Sequence, residues 1–212
     1  MNQFTHKTLA TAMGAAVIGL AAMVASADVL AHRDHGGPHN QGQDCETWLD
    51  GRPERNVPPR CRALAGQLNQ VRRATSAFYS YDVAGAAGWD TILGGCVESP
   101  MGGMGYHVHN MDQLGNGFLT LLRPEVLLYA PMEDGSMEFL GVEYIIPGNL
   151  WKSQDPPELL GQQLHFNRNV GPFGIWALHV WTAKHNPEGI FAAWNPEVSC
   201  EFAPPPPPPP AD

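Results

Sequence analysis

Charge is scarce in this chain: Asp, Glu, Lys and Arg make up 16% of its 212 residues, where a quarter is usual. With 12 basic side chains against 21 acidic ones the formal net charge is -9. Nucleic-acid binding needs clustered Lys and Arg in a stripe, and the one basic cluster, Arg60, Arg62, Arg72 and Arg73, fits the polar side of a helix instead. A nucleic-acid partner is therefore excluded. Several catalytic signatures are missing as well. There is no G-x-S-x-G nucleophile elbow, no phosphate loop ending in Gly-Lys-Ser/Thr and no H-E-x-x-H helix. No C-x-x-C spacing is present to hold zinc through thiolates. Beyond residue 24, no segment is apolar enough to span a bilayer.

The apolar stretch that does occur lies at the start. Lys7 precedes an Ala- and Gly-rich run from Leu9 to Val24, and Ala25-Ser26-Ala27 follows with small side chains. This order is that of a secretory signal peptide over residues 1–27, cleaved after Ala27 or alternatively after Ala31. A membrane anchor would need ~20 apolar residues, more than the run provides. Export to the periplasm or the extracellular space is expected, with no stable membrane span after cleavage. Loss of Lys7 would take the charge from -9 to about -10.

The roughly 185 residues that follow suit one domain. Hydrophobic residues make up 43% of the chain, enough for a core, while 23 Gly and 20 Pro indicate many turns. Residues 28–60 are polar and expected to be loosely ordered. Their His32, His35 and His39 could collect a metal adventitiously, the plainer alternative being a solvated tail. Residues 61–202 form the domain, and 203–212 a tail whose proline run, Pro204 to Pro210, suits a stiff polyproline II spacer. Four cysteines in an exported chain read as disulfides. They allow three pairings; Cys45–Cys61 and Cys96–Cys200 are favoured, the first closing a polar loop and the second tying the end of the domain to its middle.

After Pro58-Pro59, Leu64, Leu68, Val71, Thr75, Phe78 and Asp82 recur at four- and three-residue spacing, which predicts a helix from about Arg60 to Ala84. From Cys96 onward the pattern changes to short apolar runs between turns: "GYHVHN", "EVLLYAP", "MEFLGVEYIIP", "QQLHFN" and "IWALHVWTA" read as strands. "MEDGS" is a hairpin turn, and "NPEG" and "NPEV" initiate turns at Asn186 and Asn195. The predicted class is α+β: one long N-terminal helix packed on a mainly antiparallel β-sheet or small barrel.

Five side chains within these strands carry chemistry. His107 and His109 alternate with Val108, so both face one way, roughly 7 Å apart along the strand. Glu143 lies inside "FLGVEYIIP", where a carboxylate costs several kcal/mol unless it is paired, protonated or bound to a cation; Arg123 and Lys152 are alternative partners. His165 and His179 also sit in apolar runs. Imidazoles with one carboxylate and no thiolate suit a transition metal such as Cu, Zn or Fe, with Tyr106 or Tyr144 nearby. His107 is the leading ligand, since an i, i+2 pair also fits a solvent-facing edge. Trp151, Trp176, Trp181 and Trp194 could stack on a ligand or wedge between helix and sheet. A carboxylate pair of Glu143 with Glu125 or Asp112 is disfavoured, because the latter two read as surface residues. The expected partner is a metal ion or a small molecule. No catalytic residue can be named, and metal handling and metal-dependent catalysis both remain open. The rival is a metal-free, disulfide-stapled module with an aromatic ligand cleft.

The HxH pattern resembles the first cupin motif, and His165 with Asn169 resembles the final His and Asn of the second. The motif's Glu position holds Gln113 or Leu114, so the resemblance implies a small β-barrel metalloenzyme with Glu143 or Gln113 as substitute ligand. Over more of the chain, "CVESPMGGMGYH", "RPEVLLYAP", "GVEYIIP" and "LHVWTAKHNPEGIFAAWNPEVSC" are similar to a group of uncharacterised exported bacterial proteins. That resemblance places Cys96 and Cys200 in the shared domain, favouring their pairing. It also implies that position 109 need not be histidine.

Overall fold

Two prolines and a set of apolar side chains along one helical face open the continuously described stretch of the chain. A computed structural model describes Cys45, Leu49 and residues 57–205, all within one compact unit, Gly36–Asp212. Pro59, which needs no amide donor at a helix start, opens a 3-10 turn, Pro59–Cys61, that leads into α1, Arg62–Ala74. Leu64, Leu68 and Val71 are its buried face, while Arg72 and Arg73 stand in its last turn, where cations complement the helix dipole.

The helix stops there, and the predicted continuation to Ala84 is corrected: the continuous stretch is Pro59–Ala74. The sequence "TSAFYS" supplies the reason. Thr75 Oγ1 donates to the Val71 carbonyl (2.9 Å) and Ser76 Oγ to that of Arg73 (2.9 Å), so hydroxyls engage the carbonyls of the last turn. A tighter 3-10 turn, Ser76–Tyr79, follows. Ser80 then caps a short helix α2, Tyr81–Ala86, by accepting from the Val83 amide (3.4 Å). The break lets three aromatic rings leave in different directions: Phe78 onto Trp89, Tyr79 onto Phe139 and Tyr81 onto Tyr129.

Among the described residues nine strands follow: β1 Thr91–Ile92, β2 Val97–Ser99, β3 Gly102–His109, β4 Val126–Pro131, β5 Met137–Pro147, β6 Glu158–Leu159, β7 Gln162–Gln163, β8 His165–Asn167 and β9 Ile175–Val180. A short helix α3, Met111–Leu114, lies between β3 and β4. The main sheet runs β1-β3-β4-β5-β9-β8 with β2 also on β3, and β6-β7 form a separate pair. Every pairing is antiparallel. The sheet stays open, so the small-barrel alternative is overturned.

Turn chemistry follows the sequence. Gly135 takes φ 81° in the β4–β5 hairpin, where Asp134 accepts from the Ser136 amide (2.9 Å). Asn186 and Asn195 accept from the Glu188 and Glu197 amides two residues on.

Strand alternation gives the sheet two unlike faces. Val108, Leu127, Val142 and Val180 form one cross-strand row and, with Tyr129 and Tyr144, face the core that includes Leu64, Leu68 and Val71. The Tyr129 hydroxyl donates to the Phe78 carbonyl (2.6 Å) and that of Tyr144 to Leu121 (2.6 Å), satisfying the polar ends of buried rings. Trp181 is buried, its Nε1 donating to the Ala192 carbonyl (2.6 Å). Both favoured disulfides are present, Cys45–Cys61 and Cys96–Cys200, which suits an oxidising compartment. Cys45 and Leu49 are helical and pack on the core. Among the described residues no helix is long and apolar enough to cross a membrane. The predicted signal peptide, the histidines of residues 28–40 and Pro206–Pro210 lie outside the described residues.

Candidate metal centre

The second face of the sheet carries all five predicted ligands. Register aligns His109 with Val126, Val126 with Glu143, and Glu143 with His179 across β3, β4, β5 and β9. His107 lies two residues along β3, on the same face. His165 of β8 pairs with Ala177, itself two residues from His179. Tyr106 and Tyr144, expected near the site, fall one residue out of phase and point into the opposite face.

Three of the five meet. His107 Nε2 lies 3.4 Å from Glu143 Oε2, and His179 Nε2 lies 3.6 Å from Glu143 Oε1. Ligand atoms of the three residues are all within 4.8 Å of one another, a group that can hold a metal ion. Glu143 Oε2 and His179 Nε2 are buried with no hydrogen-bond partner. These separations are long for charge-assisted hydrogen bonds, which run ~2.7–2.9 Å. An ion seated among the three groups would draw donor atoms that lie within 4.8 Å of one another toward the ~2.0–2.2 Å bonds of a metal shell.

His109 and His165 stand outside the trio. Although His109 shares the Glu143 row, its Nδ1 donates to the Thr91 carbonyl on edge strand β1 (3.2 Å). His165 is exposed on the three-residue edge strand β8. Both line the same cleft as the trio. The cupin-like arrangement is not formed, since the sheet is open and His165 is not part of the trio. Gln113, its substitute ligand, sits in α3 beside Asn116 (3.5 Å).

Burial dominates the electrostatics. It lowers the His107 pKa to about 4, with His109 adding to the effect and a backbone hydrogen bond at Gly105 opposing it. Burial, then the neighbouring His107, lowers that of His179 to about 3. It raises Glu143 to about 8, and Glu125 adds to the rise. At neutral pH the imidazoles are therefore neutral, the form in which nitrogen donates to a metal. Glu143 keeps a proton that a cation would displace.

Surrounding groups hold the donors in place. The His107 ring is anchored by its hydrogen bond to the Gly105 backbone. Gly105 has φ 79°, and a Cβ there would overlap the Tyr129 carbonyl of β4. The His179 ring stacks at 17° on Trp181, centroids 6.4 Å apart. A second carboxylate, read from sequence as a surface group, is in fact fully buried: Glu125 has 0% exposure. Its Oε2 accepts from the Ile145 amide (3.0 Å), continuing the β4–β5 ladder beyond the last paired residue, while Oε1 is unpartnered. Burial raises its pKa to about 7. The signal for this residue was its place directly against the apolar run "VLLYAP".

Above the trio lies a cleft of about 920 Å³. Its walls come from β3, β5 and β9, the 167–175 segment, and the 191–194 segment after β9. Three protein donors at the base of a cavity leave coordination positions for a molecule entering it, as catalytic metal sites require and structural ones do not. Comparison with protein-family models, curated proteins and solved structures returned no match, so the chemistry of this site rests on its own geometry.

Proposed function

We propose that this is an exported metal-binding protein whose single ion is held by His107, Glu143 and His179, with open positions toward the cleft. One observation carries the reading: the Nε2 atoms of His107 and His179 stand 3.4 and 3.6 Å from the two oxygens of the buried Glu143 carboxylate, and Glu143 Oε2 and His179 Nε2 are buried without a hydrogen-bond partner. Two histidines and one carboxylate are a donor set for catalytic Zn²⁺ or for Fe²⁺ with open positions, which ranks both ahead of Cu. The open side favours metal-dependent catalysis over metal storage. A bound ion there would polarise a carbonyl or activate water.

The cleft itself supports a second reading, a metal-free binding module. Metal content separates the two. Protein made without a His-tag and carrying His32→Ala, His35→Ala and His39→Ala is expected to retain about one equivalent of metal. His107→Ala/His179→Ala in that background is expected to lose it. Metal-free protein whose stability ignores added Zn, Fe, Cu and Mn would sink the first reading and leave the second.

A further inference from the structure

Polar side chains of the trio, His109, His165 and Asn167 line part of the cleft, and most of the rest of its lining is apolar. Among the described residues its only carboxylate is Glu143, and no Lys or Arg lines it. A phosphate, or any ligand with several negative charges, would find no cationic side chain there to replace its water. A carbohydrate would find too few polar side chains for its hydroxyls. Away from the trio the lining includes Leu93, Val97, Ile145, Val170, Phe173 and Ala177. At the mouth, Leu93, Val170 and Phe173 are 54%, 43% and 59% exposed. Large apolar side chains turned outward around a cavity mark a surface that a ligand covers. A volume of about 920 Å³ suits a drug-sized molecule.

We propose that the cleft takes a largely apolar small molecule with one oxygen-donor head, seated head-down on the ion between His107, Glu143 and His179, with its hydrocarbon body running out past Ile145 and Ala177 to the Phe173 rim. The head-down half of this inference rests on the metal reading; the apolar half stands on the lining alone.

The probes are straight-chain alkyl hydroxamates from two to ten carbons and the alcohols of matching length, titrated into metal-loaded and metal-stripped protein by calorimetry. In the loaded protein each added methylene is expected to tighten hydroxamate binding about fourfold until the rim is reached, the gain of burying one CH₂. Hydroxamates are expected to bind the loaded protein at least tenfold more tightly than the stripped one, and alcohols to show the smaller difference. Phe173→Ser/Val170→Asp is expected to flatten the chain-length dependence while metal content stays unchanged. Hydroxamate affinity independent of chain length would overturn the apolar ligand class and leave the metal reading standing. A chain-length dependence that is the same with and without metal, and no preference for hydroxamate over alcohol, would overturn the head-down placement, while metal content measured on the same samples decides the metal reading separately.

Discussion

Glu143 occupies a position where neither protonation state is comfortable without help. Ionised, it has been stripped of water between two neutral rings; protonated, it holds its proton well above the usual carboxylate range, up to about 8. The sign of the resulting pH dependence follows. The unfolded chain loses this proton near pH 4.5 and the folded, metal-free protein near 8, so metal-free stability falls as pH rises between those values. His107 and His179 act oppositely: folded pKa values near 4 and 3 make stability fall as pH drops below about 6.5. Above pH 6.5 the carboxylates are left alone, Glu125 titrating near 7 beside Glu143. Metal-stripped protein is expected to lose on the order of 2 kcal/mol between pH 6.5 and 8.5, read by urea denaturation. Metal-loaded protein should lose less, because the ion replaces the Glu143 proton and leaves only the Glu125 contribution. Glu143→Gln should abolish both metal retention and most of the alkaline loss while leaving the fold intact. A variant that keeps its metal would remove Glu143 from the ligand set.

Glu125 gives a separate test. Glu125→Leu removes the acceptor of the buried Ile145 amide (3.0 Å) and is expected to cost ~1–3 kcal/mol. Glu125→Gln keeps an acceptor oxygen and should fall within about 1 kcal/mol of the parent. Equal losses in both variants would show that the charge, and not the backbone cap, matters.

Among the strands and helices, legibility varied with the kind of signal. Period-two alternation showed that His107 and His109 share a face, and Glu143 in an apolar run stood out because burying a carboxylate is costly. By sequence His107 ranks above His109, but the contact that draws His109 away from Glu143 carries no sequence signal. Register puts His109 in the Glu143 row, yet its ring is taken by the Thr91 carbonyl of a two-residue edge strand, a pairing made by residues 18 apart with no local pattern. His165 looked buried because "QLHFN" is apolar, but β8 ends the sheet and exposes it. The predicted helix ran too far because heptad-like spacing continued through Thr75 and Phe78, while hydroxyl-to-carbonyl bonds at Thr75 and Ser76 had already ended it. β3 offers the sharpest test. Gly105→Ala adds a Cβ against the Tyr129 carbonyl at positive φ, forcing β3 from β4 two residues from His107. Metal affinity is expected to drop at least tenfold. Gly85→Ala in α2, with nothing within 4 Å, should change neither metal affinity nor, by more than about 1 kcal/mol, stability.

The two disulfides divide the molecule's stability from its site. Cys45–Cys61 spans 16 residues and Cys96–Cys200 spans 104, so the chain-entropy contributions are about 3 and about 4.7 kcal/mol. The longer link also bears on the cleft. Between β9 and Cys200 the chain turns back to supply Phe191, Ala192, Ala193 and Trp194 to one wall. It is pinned there by the Gly103–Asn195 bridge and by Glu98, whose Oε2 accepts from the Cys200 amide (2.8 Å). The three candidate donors instead lie on β3, β5 and β9, strands of the one sheet. Cys96→Ser/Cys200→Ser is therefore expected to lower stability by roughly 2–5 kcal/mol and to weaken long-chain hydroxamate binding several-fold, yet to keep its metal at a temperature where it stays folded. Cys45→Ser/Cys61→Ser should cost less stability and leave hydroxamate binding alone. Metal lost with the Cys96–Cys200 link, in protein whose circular dichroism is unchanged, would mean that the return segment, not the sheet alone, holds the donors in place.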